Sequence, residues 1–141
     1  MGMFLLKTEP SEYSFDDLVR DRKTCGAGVS NAAALIAIRS MRKGDQTFIY
    51  HTGDEKAIVG LAEVASAPYE DPERPGLNAE GLPKFAVVDL KAGKKVKSPV
   101  TLERIKGDKR FAEFALVKQS RLSAMAVPPA LEKVLREWAG L

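Results

Sequence analysis

The sequence predicts an α+β domain: a small curled β-sheet with short helices at its flanks. Two patterns carry that expectation. The first 64 residues run strand, helix, helix and then two apolar strands joined by a five-residue polar turn, and the remainder adds strand-like segments and one terminal helix. The regular alternation of strands and helices that builds a parallel sheet is missing. A length of 141 residues fits one domain over 1–141, long enough to bury an ordinary core.

Met3-Phe4-Leu5-Leu6 is a continuous apolar run, as in a strand covered on both faces, and Pro10 closes it. Ser14 is a good N-cap for a short helix from Phe15 to Arg20, with Asp16 and Asp17 where the helix dipole favours negative charge. Asn31, or Ser30 before it, caps a second helix from Ala32 to Met41, with Leu35, Ile38 and Met41 toward the core and Gly44 as the stop. Gln46 to His51 and Ala57 to Val64 make the strongest hairpin, turning through Thr52 to Lys56. From Ala67 to Pro83 four prolines and two glycines read as one long loop, a kind often functional in compact domains.

Lys84 to Leu90 reads as a strand, Thr101 and Asp108 as caps of helical turns, and Ala115 to Lys118 and Leu122 to Val127 as two late strands. Pro129 opens a last helix with Leu131, Val134, Leu135 and Trp138 on one face and Gly140 at its end.

No apolar run approaches the ~20 residues of a membrane span, so no membrane partner is expected. The N-terminus lacks the basic, apolar and small-residue regions of a signal peptide, and the single cysteine, Cys25, suits a reducing compartment; the expected location is the cytoplasm. Gly26-Ala27-Gly28 is too short for a phosphate loop or a dinucleotide fingerprint. One histidine and one cysteine do not supply a metal site, and no motif calls for a cofactor.

Charge is regional. Residues 1–90 carry ten Lys/Arg against fourteen Asp/Glu, residues 91–121 carry ten against three, and the last twenty balance. Lys94, Lys95, Lys97, Lys109 and Arg110 lie in the basic stretch, which is either a solvated face or a grip on a phosphate backbone.

Three polar clusters end a strand or open a helix: Lys7-Thr8-Glu9-Pro10-Ser11, Gly28-Val29-Ser30-Asn31 and Tyr50-His51-Thr52. Their placement suggests one shared pocket. These clusters, with Phe4-Leu5-Leu6 before the first, Gly44-Asp45 and Phe48-Ile49 before the third, Val59-Gly60-Leu61-Ala62-Glu63-Val64 and Ser120-Arg121-Leu122-Ser123, resemble the successive signatures of the EVE domain family, in the family's order and over nearly the whole chain.

That resemblance implies a PUA-like fold similar to the YTH domain, a small mixed β-barrel flanked by helices. It also implies a non-catalytic reader of a modified nucleobase, modified cytosine in DNA first and RNA second. The pocket residues on this reading are Lys7, Glu9, Ser30, Asn31, Tyr50, His51, Thr52 and Arg121. Where most members carry Trp-Asp-Gly-Val-Arg-Asn this chain has Gly26-Ala27-Gly28-Val29-Ser30-Asn31, so a wall supplied by that Trp would be open here.

Each side chain has a functional and a structural reading. Tyr50 stacks on a base or is a half-buried strand tyrosine. His51 reads a base edge, donating and accepting when neutral, or pins the hairpin to the N-terminal strand. Asn31 caps its helix or presents its amide. Lys7 and Arg121 meet phosphate or a base carbonyl, or are surface charge. Glu9 accepts from an exocyclic amine or is a turn residue. Two rival functions remain: a PUA-like RNA-binding module held by the 91–121 basic segment, and a small hydrolase with Cys25 as nucleophile and His51 as base, oriented by Asp45 or Asp54.

Overall fold

The computed structural model describes residues 2–25 and 31–141. The expectations placed on Gly26 to Ser30, including Ser30 as a pocket residue and the open wall at Gly26, lie outside the described residues.

Strand β1 (Met3–Thr8) is buried over its first four residues because both faces are covered. Ser14 then starts α1 (Phe15–Asp21): its hydroxyl accepts the N–H of Asp17, and the Asp17 carboxylate accepts the N–H of Ser14. This reciprocal pair satisfies two donors at the helix start. Strand β2 (Lys23–Cys25), which no sequence pattern announced, precedes the undescribed residues. Asn31 caps α2 (Ala32–Ser40) by accepting the N–H groups of Ala33 and Ala34. Leu35, Ile38 and Met41 are buried as expected. Gly44 does not stop this helix; Met41 is already extended, and Gly44 turns the chain afterwards at φ 96°.

The expected hairpin is present as β3 (Gln46–His51) and β4 (Ala57–Val64). The 67–83 segment is not a plain loop, since β5 (Tyr69–Glu70) pairs with β6 (Ala86–Val87) in a separate ribbon. The strand expected from Lys84 to Leu90 is divided between β6 and the start of β7 (Asp89–Thr101). Four lysines, Gly93 and Pro99 disguise β7 as surface, yet it is paired with β4 on one side and β2 on the other.

Thr101 and Asp108 cap α3 (Leu102–Lys106) and a 3-10 turn at Lys109–Phe111. Ala115 to Lys118 is a helix, α4 (Ala115–Lys118), and not a strand: the N–H groups of Val117 and Lys118 both return to the Phe114 carbonyl. A four-residue apolar run fits either period, and the preceding turn decides it. β8 (Ala124–Ala126) occupies the middle of its expected range, and α5 (Pro129–Ala139) ends at Gly140 with φ 75°.

The main sheet runs β2-β7-β4-β3-β1-β8, with β1 parallel to β3 and every other neighbouring pair antiparallel. From Ala62↔Ala92 to Gly60↔Lys95 strand β4 advances two residues and β7 three; from there to Ile58↔Val100, β4 advances two and β7 five. Extra residues on one partner bend a ladder, and the sheet curls here.

Side chains alternate along a strand, so the β1/β3 register sorts them. Thr8 pairs with His51 and Leu6 with Ile49 on one face, whereas Lys7 pairs with Tyr50 on the other. Helices α1 and α2 cover the first face; α3, α4 and α5 cover the second, where Arg136 reaches the side chains of Gln46 and Met3. Gly60 lets α1 approach: a Cβ there would stand 2.4 Å from the Phe15 ring.

Candidate functional site

A cleft of about 420 Å³ opens between the C-terminal end of β1, α1 and α2. Its walls are apolar, with Leu6, Phe15, Leu18, Ile38, Ile49 and Leu90, and Lys7, Glu9, Tyr13, Thr24 and Cys25 stand among its polar lining. Small-molecule sites have this size and this mixture, a greasy enclosure with a few polar groups. Thr8 also lines it, and the Thr8 hydroxyl is buried without a hydrogen-bond partner. A buried unpaired hydroxyl is unusual enough to ask for an explanation.

The expected convergence of Tyr50, His51 and Asn31 on this cleft does not occur. Tyr50 is 3% exposed and lies on the opposite face, where it lines a smaller pocket and burial raises its phenol pKa. His51 is 7% exposed and already committed: Nε2 accepts the N–H of Phe15 at 2.9 Å, and Nδ1 lies 2.9 Å from Glu55 Oε1. With Nδ1–H donating to Glu55, the ring holds the start of α1 against the end of β3. It pins α1, not β1, to the hairpin.

Glu9 is likewise occupied. Its Oε1 accepts from the N–H and hydroxyl of Ser11, and its Oε2 from the Thr52 hydroxyl at 3.1 Å; the Ser11 N–H is the chief cause that holds its pKa below the usual carboxylate range. Thr52 is thereby tied to the end of β1, where its N–H also meets the Thr8 carbonyl. Asn31 spends its Oδ1 on two helix N–H groups. Lys7 donates from Nζ to the Ser120 carbonyl at 2.8 Å, and desolvation lowers its pKa. Arg121 is exposed.

The basic segment is not one stripe. Lys95 reaches Asp16 on α1, Lys97 packs against Gly140 at the end of α5, and Arg110 is bidentate to Asp108. Lys94 and Lys109 are exposed. The lysines of β7 therefore serve both sides of the sheet.

The Cys25–His51 pairing fails on geometry. Cys25 sits on β2, three ladder positions from β3, and both His51 nitrogens are engaged. Asp45 is used elsewhere, accepting the N–H groups of Gly2 and Arg42, and the histidine's carboxylate is Glu55, not Asp45 or Asp54. Cys25 instead lies 3.3 Å from the Tyr69 hydroxyl, which donates to Asp89 at 2.7 Å; the thiol and the carboxylate hold that phenol well above its ordinary pKa.

Sequence reasoning missed Thr8, Tyr13 and Cys25 as cleft residues. Thr8 lies in the 7–11 cluster and Tyr13 just after it, but only the pleat and the Ser14 cap decide where they face.

A curled mixed sheet, β1 parallel to β3, with a cleft under two short helices at the strand ends, defines a PUA-like domain. Residues 2–137 match the EVE domain family, and the chain belongs to that family. Thymocyte nuclear protein 1 of Homo sapiens is 28% identical over 123 residues, 73% of this chain and 55% of the relative; the Rattus norvegicus protein is 28% identical over 73% of this chain and 54% of its own length. The chain thus spans about half the length of these curated relatives.

Among solved structures, a Rhodopseudomonas palustris protein determined by NMR has a TM-score of 0.87 at 39% identity, covering 99% of this chain and 94% of that one. Human THYN1 protein in complex with 5-methylcytosine containing DNA has a TM-score of 0.87 at 22% identity, covering 100% and 99%, a likeness of fold. Among the described residues no helix is long and apolar enough to cross a membrane.

Proposed function

We propose that this chain, as one domain over 1–141, is a non-catalytic reader of a modified nucleobase, modified cytosine in DNA before RNA, in the cytoplasm. The observation that carries the reading is the cleft itself, apolar in its walls, with a buried and unpartnered Thr8 hydroxyl. An extruded base needs flat or apolar walls and a polar check on its edge, and extrusion costs a few kcal/mol that those contacts must offset. Support comes from the family and from the human THYN1 complex with methylated DNA.

On this reading Tyr13 supplies the aromatic face, and its hydroxyl is steadied by donating to Asp21 at 2.9 Å. The Thr8 hydroxyl at the end of β1 checks the base edge, and Asn31 holds the start of α2. Lys7 stands at the rim with Arg121 to meet phosphate or a base carbonyl, and Lys94, Lys95, Lys97, Lys109 and Arg110 add backbone attraction. Glu9, Thr52 and His51 act one step back: they hold the β3–β4 turn and the start of α1 in place.

Fluorescence anisotropy with short DNA strands, each carrying one 5-methylcytosine beside an unmodified control, tests this. The expected result is a preference for the modified strand that Tyr13→Ala reduces by ~1–3 kcal/mol, the usual worth of a stacking partner. Equal binding of both strands across a panel of cytosine modifications would end the proposal.

A further inference from the structure

A second hollow, of about 250 Å³, lies on the other face of the sheet beneath Tyr50. Three lysines line it, Lys7, Lys56 and Lys106, and among the described residues no acidic one does. Lys56 ends the β3–β4 turn at φ 44°, a region that non-glycine residues seldom adopt. Its carbonyl accepts the N–H of Leu102 at 2.8 Å, which fastens the turn to the start of α3, the helix that carries Lys106. Two separate elements are thus tied so that their lysines share one hollow with the end of β1.

The charges there are uncompensated. Lys23, Lys95 and Lys118 each have a carboxylate partner, whereas among the described residues Lys56 and Lys106 have none. Among the described residues Lys7 meets the Ser120 carbonyl oxygen and the Tyr50 ring, 5.8 Å away, and no carboxylate. Glu9, close to Gly53 of the same hollow, has its oxygens engaged by Ser11 and Thr52.

We propose that Lys7, Lys56 and Lys106 form a receptor for a phosphoryl group on the face of the sheet opposite the base cleft. Three lysines that line one hollow concentrate positive charge there, and a tetrahedral anion with several acceptor oxygens offsets it through charge-assisted hydrogen bonds. Lys7 also lines the base cleft, so it stands between the two sites. A strand that places its base in the cleft can pass the end of β1 and rest a backbone phosphate here, which sets register without reading sequence. That source rests on the reader function; a free phosphate has the same chemistry.

Two measurements on the full chain separate these. In the first, inorganic phosphate is titrated against chloride at constant ionic strength and followed by amide NMR. Shifts are expected at Gly53, Lys56 and Lys106, and are lost in the folded Lys56→Gln/Lys106→Gln variant; their absence from the natural protein overturns the receptor. In the second, oligonucleotide binding is measured against salt. The double variant should weaken modified and unmodified strands alike and flatten the salt dependence by about one unit, one phosphate contact. An unchanged slope with the phosphate shifts intact assigns the receptor to a free phosphate. If the natural protein binds no strand at all while the shifts persist, the reader function falls and the receptor stands.

Discussion

Replacing Thr8 by valine should make the free protein more stable and its complex weaker. The Thr8 hydroxyl oxygen has less than 1 Å² exposed and no hydrogen-bond partner, so the free protein bears its desolvation without return. For a hydroxyl that penalty is ~1–3 kcal/mol. Valine keeps the β-branch, the volume and the preference for an extended strand, so neither a cavity nor a change of rotamer offsets the gain. A gain of about 1 kcal/mol should raise Tm by roughly 2–5 °C for a chain of this size. Binding should move the other way, since a base-edge group that met the hydroxyl would be left unpaired, at ~1–3 kcal/mol, roughly 5- to 150-fold in affinity. Scanning calorimetry of the free protein and anisotropy with a singly modified strand read the two halves. A fall in Tm would show that the hydroxyl has a partner in the free protein, and unchanged affinity for the modified strand would remove Thr8 from base reading.

Gly60→Ala should destabilise by ~1–3 kcal/mol in urea unfolding, because its Cβ would stand 2.4 Å from the Phe15 ring and α1 would have to lift from the sheet. His51→Ala leaves the buried Phe15 N–H without its acceptor, and a loss of ~1–3 kcal/mol should appear in the same assay. Tyr50→Ala, at a core position on the face away from the cleft, should cost ~3–5 kcal/mol of stability while the folded protein keeps its ratio of modified to unmodified binding. The Asp108 carboxyl is held down to about 2 by the Arg110 side chain and its N–H. A depressed folded pKa contributes stability above the unfolded value near 4 and loses it as pH falls toward 2, so Asp108→Asn should flatten the acid limb of the stability profile in that window.

Features that neighbours along the chain decide are legible in the residues. The Ser14 and Asn31 caps, the 46–64 hairpin, and the Pro129 start and Gly140 stop of the last helix are satisfied within a few residues, and each appears where the pattern places it. Motif order also carried the family, because it needs no geometry. Tertiary structure alone decided the site. Tyr50 and His51 are adjacent in the chain and read as one cluster, but the pleat sends them to opposite faces, and only the pairing of β1 with β3 says which face lies under α1 and α2. β7 is a strand because β4 and β2 supply its hydrogen-bond partners; its lysines, Gly93 and Pro99 give no local reason to be one. The Thr8 hydroxyl is an ordinary threonine oxygen in the sequence and becomes an orphan only when the helices close over it. Burial and partnership belong to the assembled sheet, and no stretch of chain contains them.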